Sequence, residues 1–117
     1  MTQVADLKVV TEDGVVTLIG RGELDVFNSV ALNEAVQIVV EHAATRSAVV
    51  DFRGVSYMDT HALWCIFRAA KALQQQGLVL TMLVAPHSVP ERLIRLTGWD
   101  AIIRLCHSPE EVPIGSD

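Results

Sequence analysis

The sequence has few of the residues that mark several common kinds of small protein. Its two cysteines, Cys65 and Cys106, form no C-x-x-C pair, which argues against a disulfide framework or a zinc knuckle. His42, His87 and His107 are isolated, so no metal-ligand spacing stands out. No stretch approaches the roughly 18 uninterrupted apolar residues of a spanning helix, and no cationic leader precedes a long apolar segment. We expect reduced thiols, no metal, no membrane insertion and a cytoplasmic location.

Positive charge is also scarce. Nine Lys and Arg residues stand against 14 Asp and Glu residues, which gives a net charge of -5 at pH 7. This balance argues against nucleic acid or an anionic lipid as the main partner and favours a protein partner. Half of the residues are hydrophobic and 20% are charged, which excludes a disordered chain. The length of 117 residues fits one domain covering residues 1–117.

The chain begins with a predicted antiparallel hairpin. Residues 7–10 and 15–19 are rich in β-branched side chains, and Asp13-Gly14 between them is a strong hairpin signal. We then expect a helix that Asn28 or Ser29 caps. Its buried stripe is predicted to consist of Leu32, Ala35, Val36, Val39, Val40 and Ala43.

The centre of the chain runs from a buried strand through a turn into a long helix. Residues 47–51 form the predicted strand, and Arg53-Gly54 supply turn chemistry. Asp59 or Thr60 is the N-cap of the helix, because either side chain can accept hydrogen bonds from its first free backbone N–H groups. Gly77 stops the helix. One buried stripe is expected from Leu63, Ile66, Phe67, Ala70 and Leu73.

The last third of the chain alternates strand and helix again. Residues 78–84 form a predicted strand, and Ser88 and Glu91 have the spacing of a capping box for a helix that Gly98 ends. Residues 102–105 are a short edge strand. The apolar residues expected to pack the helix are Leu93, Ile94 and Leu96.

The alternation of elements predicts the fold class. We expect a single α/β domain with a mixed sheet of four or five strands, an N-terminal hairpin and about four helices packed on the sheet. After about residue 107 the tail is expected to be frayed, because Pro113 and Gly115 end the helix signal of residues 108–111 within about a turn.

Three motifs resemble those of STAS domains, the fold of bacterial anti-sigma-factor antagonists. Residues 49–63, VVDFRGVSYMDTHAL, resemble the central signature of that family. Residues 22–25, GELD, resemble the second motif, and residues 96–100, LTGWD, resemble the third. The motifs occur in the order of the family and together span nearly the whole chain. The resemblance implies a STAS-like domain and a hydroxyl, at Thr60, that a partner kinase phosphorylates.

The residues after Thr60 depart from the family pattern. Family members usually carry a small residue and then Gly there, whereas this chain has His61 and Ala62. An imidazole and an added methyl group would narrow the approach of a kinase to the backbone. On spacing alone Thr60 could be only a helix cap, and Asp59 either orients the hydroxyl or caps the helix.

The outward face of the long helix is a candidate interface. At about 100° per residue, the residues that fall opposite the buried stripe are His61, Trp64, Arg68 and Gln75. An exposed Trp beside an Arg has the composition of a binding hot spot, although a Trp lying flat against a neighbouring loop is the alternative. The predicted partner-binding residues are Glu23, Asp25, Asn28, Ser29, Asp59, His61, Trp64 and Arg68.

By resemblance, the protein is an anti-sigma-factor antagonist that binds an anti-sigma factor with serine/threonine kinase activity and releases it once Thr60 is phosphorylated. The alternative is a non-switching STAS subunit of a transporter ATPase or a signalling scaffold. An enzyme ranks last, because adjacent helical residues such as Asp59, Thr60 and His61 point about 100° apart and cannot converge as a triad. We expect no catalytic residue and no cofactor, and a homodimer is left open.

Overall fold

Five strands form one sheet, and helices join its parallel strands. The computed structural model describes residues 6–43 and 47–113. The strands are β1 Asp6–Glu12, β2 Val15–Leu24, β3 Ser47–Met58, β4 Leu80–Leu83 and β5 Ile103–Cys106. The helices are α1 Ser29–His42, α2 Thr60–Gln75 and α3 Val89–Thr97, and three 3-10 turns cover Val26–Asn28, Trp99–Ala101 and Pro109–Glu111.

The strands lie in the sheet in the order of the sequence, β1-β2-β3-β4-β5. β1 runs antiparallel to β2, and every other neighbouring pair is parallel. The predicted α/β domain with a mixed sheet is confirmed. The described residues contain three α-helices rather than about four, because the last predicted helix is a single 3-10 turn.

The predicted hairpin is confirmed. Asp13 and Gly14 connect β1 to β2, and their φ angles of 51° and 79° are both positive. Two positive φ angles are the mark of a type I′ turn, whose twist matches that of the flanking strands. Asp-Gly is a preferred pair for this turn, since Gly adopts positive φ without steric cost and Asp tolerates it.

β2 and β3 are both longer than we predicted. β2 continues past Ile19, and β3 continues past Asp51 through the Arg53-Gly54 pair, where Gly54 lies opposite Arg21. Two register shifts each give β3 one more residue than β2, so the residues that suggested a turn are taken up within the strand. The Asp51 carboxylate accepts hydrogen bonds from the backbone N–H of Arg53 at 3.2 Å and from its guanidinium at 2.8 Å.

The two faces of the sheet are covered differently. The buried residues of α1 and α2 and Ile94 of α3 belong to one cluster with Ala48 and Val50 of β3, whereas Val49 belongs to a smaller cluster on the other side. Alternate residues of a strand point to opposite faces, which explains this division. The smaller cluster consists of Val49, Leu83 and Cys106, packed against Val15 and Val112.

The predicted helix stripes are confirmed in part. In α2 the stripe is buried except for Phe67, which is half-buried. In α3 Ile94 is buried, but Leu96 is 85% exposed, so its predicted packing is wrong. Two residues along a helix turn by about 200°, which carries Leu96 to the side opposite Ile94.

A buried carboxylate connects the start of α3 to the end of β5. Ser88 Oγ accepts the Glu91 backbone N–H at 3.4 Å, as a capping box requires. The Glu91 carboxylate, however, accepts the N–H of His87 at 2.8 Å and pairs with the side chains of His107 and Arg95. The second half of the predicted box is therefore wrong. The His107 hydrogen bond, followed by that of His87, lowers the pKa of Glu91 to about 2.

The described part of the tail forms one turn. The Glu111 carboxylate accepts the backbone N–H of His107 at 3.1 Å and the hydroxyl of Ser108 at 3.2 Å. Val112 then packs on the smaller cluster. The fraying expected after about residue 107 stays a prediction. Residues 114–117 lie outside the described residues, and so do residues 1–5 of the N-terminal segment in which the sequence predicts no cationic leader.

Replacing Glu91 should change how stability depends on pH. Because the pKa of Glu91 in the folded chain lies below its ordinary value of 4.5, its ionised form stabilises the fold above that value. This contribution is lost as the pH falls from there toward about 2. Glu91→Gln should lower the free energy of unfolding at pH 7 by about 1–3 kcal/mol, and the difference from the parent should shrink in acid.

Denaturant unfolding at neutral and acidic pH measures this difference. Glu34→Gln, an exposed change on α1, is the matched control and should leave the parent stability nearly unchanged at each pH. A Glu91→Gln difference that stays constant from neutral to acidic pH would contradict the assignment.

Candidate functional site

The starts of α1 and α2 lie at the same edge of the sheet. β2 and β3 are parallel neighbours, so both strands deliver the chain to this edge. The backbone N–H of Asp59 donates to the carbonyl of Leu24 at 3.0 Å and joins the two ends directly. The motifs at residues 22–25 and 59–60 are therefore neighbours in space.

Asp59, rather than Thr60, is the N-cap of α2. Its backbone is extended, and its Oδ1 accepts the N–H of Ala62 at 3.0 Å, while Oδ2 lies 3.6 Å from Nδ1 of His61. Thr60 is the exposed first residue of α2, and its hydroxyl forms no hydrogen bond with the described part of the chain. Ala62 is fully buried, so its methyl group does not face a protein approaching Thr60.

The turn before α1 is braced by its own side chains. Asp25 Oδ1 accepts the N–H of Phe27, Asn28 Oδ1 accepts the N–H of Asp25, and both distances are 3.0 Å. Asn28 Nδ2 also donates to the carbonyl of Glu23 at 2.9 Å. Asn28 holds the N-cap position of α1 but makes no side-chain cap bond to it, so the capping role predicted for Asn28 or Ser29 is not observed. The Asp25 carboxylate and the Asn28 amide instead fix the path of the 3-10 turn.

A cavity of about 230 Å³ lies between the starts of α1 and α2. Inside it, Arg68 donates to Oδ1 of Asn33 at 3.2 Å and contacts Sγ of Cys65 at 3.6 Å. The Cys65 thiol donates to the same Asn33 oxygen at 3.0 Å, and burial raises its pKa, which keeps it protonated. The residues that line the cavity are Ser29, Asn33, Thr60, His61, Trp64, Cys65 and Arg68.

The cavity unites most, but not all, of the predicted site residues. Its lining includes Ser29, Thr60, His61, Trp64 and Arg68. The remaining predicted residues, Glu23, Asp25, Asn28 and Asp59, belong to the adjoining turn and cap. The sequence reasoning missed Asn33 and Cys65. Asn33 follows Ser29 by one turn of α1, but only the contact between the two helices gives it a partner.

Trp64 combines the two alternatives that we considered for it. Its ring lies 5.4 Å from Phe67 and 5.3 Å from Trp99, both in edge-to-face contacts, yet the residue remains 49% exposed. Phe67 and Trp99 are 4.2 Å apart, so the three rings form one aromatic cluster. Trp64 therefore packs against a neighbouring segment and still offers an aromatic surface beside the cavity.

The turn before α1 adds apolar surface that the sequence reasoning missed. Phe27 is 94% exposed and Val30 is 71% exposed, with Val26 beside them at 49%. The only signal in the sequence was an aromatic residue within a predicted loop. Large exposed apolar side chains that adjoin one another mark interaction surfaces more often than isolated ones do.

The comparisons with known proteins agree with this architecture. A sequence profile of the STAS domain matches residues 6–112. The chain belongs to the STAS domain family.

Solved structures give the same fold for this STAS domain. An anti-sigma factor antagonist from Mycobacterium paratuberculosis superimposes with a TM-score of 0.81 at 20% identity, covering 95% of this chain and 94% of the other. A candidate anti-sigma factor antagonist from Thermotoga maritima gives 0.77 at 21% identity, with coverages of 90% and 89%. The antagonist SpoIIAA in its unphosphorylated form gives 0.66 at 18% identity, with 92% of both chains covered. SpoIIAA of Bacillus has also been solved in its phosphorylated form.

Other kinds of site are not seen in the described part of this STAS domain. No three His, Cys, Asp or Glu side chains gather as metal ligands within residues 6–43 and 47–113. In the same ranges no helix has both the length and the apolar character to cross a bilayer.

Substitutions at Asp59 and Thr60 should separate the cap from the hydroxyl. Asp59→Ala removes the oxygen that accepts the Ala62 N–H and should cost about 0.5–2 kcal/mol of stability. Thr60→Ala removes no cap bond and places a better helix former in the first turn, so its effect should stay within about 0.5 kcal/mol. Thermal or denaturant unfolding of the two variants measures both. An equal loss in both variants would mean that Thr60 shares the capping role.

Proposed function

We propose that this STAS domain is an anti-sigma-factor antagonist whose partner is an anti-sigma factor with kinase activity, and that phosphorylation of Thr60 switches the complex off. The observation that carries the proposal is the state of the Thr60 hydroxyl, which is exposed and makes no hydrogen bond to the residues that the structure describes, because Asp59 caps the helix in its place. Two structural relatives are described as anti-sigma factor antagonists, and one of these has a phosphorylated form. Such a protein would act in the cytoplasm and would itself perform no catalysis.

The electrostatics favour a switch that acts on the complex and spares the fold. A phosphate near a helix N-terminus is stabilised by about 0.3–1 kcal/mol, so the domain tolerates it. Across an interface, placing like charges together costs several kcal/mol, and 1.4 kcal/mol is already tenfold in affinity. A phosphate on Thr60 would therefore release a partner that presents negative charge at this point.

The docking surface in this proposal surrounds Thr60. We define it as the exposed apolar residues Val26, Phe27 and Val30, which flank the cavity-lining Ser29 in the chain, together with Trp64, which lines the cavity. Such an arrangement gives apolar anchors around a polar centre, as in many protein interfaces. A partner seated here would cover the Thr60 hydroxyl with its own active site.

Incubation with ATP and the cognate kinase should place one phosphate on Thr60. In this reaction Oγ of Thr60 bonds to the γ-phosphorus of ATP, the bond to ADP breaks, and the hydroxyl proton passes to the base of the kinase. Mass spectrometry of the intact protein and of its peptides should find the modification in the parent and in Thr60→Ser, and none in Thr60→Ala. An active kinase that leaves Thr60 unmodified would overturn the switch.

Phe27 is the cleanest probe of the docking surface. It is 94% exposed, so Phe27→Ala should leave the unfolding temperature nearly unchanged while weakening partner binding by about tenfold or more. Trp64→Ala is less clean, because it also removes the contacts with Phe67 and Trp99. Ile38→Ala on α1, 41% exposed and farther along the helix, is the control and should bind like the parent. Calorimetric titration with the partner measures the affinity of each variant. Equal affinities for Phe27→Ala and Ile38→Ala would show that Phe27 is not part of the interface.

One observation supports the non-switching alternative. His61 stands directly beside Thr60 with its side chain 61% exposed, at a position where the family pattern in the sequence analysis implies a small residue. A bulky ring at this position narrows the approach to the hydroxyl and suits a permanent contact with a transporter ATPase or a signalling scaffold. The phosphorylation experiment distinguishes the two functions, since the alternative needs no modification of Thr60.

A further inference from the structure

The cavity beside Thr60 carries cationic and neutral groups but no carboxylate in its lining. Arg68 is a permanent cation there, and His61 becomes one when protonated. The adjoining acid, Asp59, is held outside the lining by its bond to the N–H of Ala62. Within residues 6–43 and 47–113, no carboxylate lies within ion-pair distance of Arg68.

Among the described residues, the acceptors that hold Arg68 are neutral, and one of them is weak. Its guanidinium donates to Oδ1 of Asn33, an oxygen that also accepts the Cys65 thiol, and to Cys65 Sγ at 3.6 Å. Sulfur is a weak acceptor, whereas the planar guanidinium fork matches two oxygens of a phosphate. The strongest kind of partner for Arg68 is thus absent from its contacts, and an anion in this cavity would compete well for it.

The position of Arg68 suits an anion carried by Thr60. The Arg68 side chain lies back along α2 toward its start, since it contacts Cys65 one turn earlier. Cys65 is five residues after Thr60, roughly 7–8 Å along the helix axis. Both side chains line the same cavity of about 230 Å³, several times the roughly 30 Å³ of one water, so a phosphoryl group has room there.

We propose that phosphothreonine at position 60 is captured by its own chain. The phosphate occupies the cavity, Arg68 leaves Asn33 to pair with two phosphate oxygens, and His61 provides a second donor. The inference rests on the proposed function, which supplies the phosphate. It adds a second effect of phosphorylation, because the loss of the bond from Arg68 to Asn33 alters the contact between α2 and α1 beside the docking surface.

The test uses phosphothreonine encoded at position 60 during translation, which needs no kinase. Phosphorus NMR measures the second pKa of the phosphate, ordinarily near 6, in the parent, in Arg68→Gln and in the control Lys71→Gln. Lys71 lies on the same helix, and its Nζ donates a hydrogen bond to Gln74. Lys71→Gln therefore removes one positive charge, as Arg68→Gln does, but at a position that does not line the cavity. Asp59 and His61 face the phosphate in all three proteins, so their effects cancel in the comparison.

Capture predicts a phosphate pKa that is lower in the parent and in Lys71→Gln than in Arg68→Gln, by about half a unit or more. The side-chain amide of Asn33 should also shift in the nitrogen spectrum when Thr60 is phosphorylated. Arg68→Lys keeps the charge but loses the planar guanidinium, so the phosphate pKa in this variant should lie between those in the parent and in Arg68→Gln. If Arg68→Gln does not fold, Arg68→Lys is compared with the parent instead.

Equal phosphate pKa values in the parent and in Arg68→Gln would overturn the proposed capture. So would an Asn33 side-chain amide signal that does not shift when Thr60 is phosphorylated. These outcomes are separate from the fate of the proposed function. A cognate kinase that fails to modify Thr60 would contradict the proposed switch. That failure would not change the result obtained with the encoded phosphothreonine.

Discussion

The parallel pairing of β2 with β3, completed by the hydrogen bond from the Asp59 N–H to the Leu24 carbonyl, is the constraint on which the candidate site depends. Two parallel strands end at the same edge of a sheet, so the elements that follow them start together. Here these elements are α1 and α2. Their adjoining starts create the cavity between Ser29 and Thr60 without any dedicated loop.

Local chemistry in the sequence predicted the elements whose signals are local. Asp13-Gly14 specified a type I′ turn, and Asp59 before an apolar stripe specified a helix start. The strand lengths were not predictable in this way. Arg53-Gly54 has the composition of a turn, but pairing with Arg21 across two register shifts keeps it in β3, and that pairing is tertiary. Glu91 was similarly misjudged, because its carboxylate finds His107, which is 16 residues away in the chain.

The same distinction applies to the site. Helical periodicity placed His61, Trp64 and Arg68 on one outward face, and the cavity lining agrees with that placement. The periodicity of α2 could not predict which residues of another helix contact it, and Asn33, which bonds Arg68, belongs to α1. The exposure of Phe27 was also beyond a sequence pattern, since a loop aromatic is equally compatible with burial under a neighbouring element.

The division of labour between Asp59 and Thr60 determines where a modification of Thr60 can act. Three interactions fix the start of α2 without the Thr60 hydroxyl: the Asp59 cap, the bond to Leu24 and the burial of Ala62. A phosphate on Thr60 meets a favourable helix dipole, an opposing Asp59 carboxylate and, in the capture that we propose, Arg68, which gives up its bond to Asn33 in exchange. In solvent each of these effects is small. The folded domain therefore changes little in energy, whereas a partner covering the same point would enclose the charge without water. The larger part of the free energy of such a switch lies in the complex, because a partner seated over Thr60 would exclude water from the phosphate.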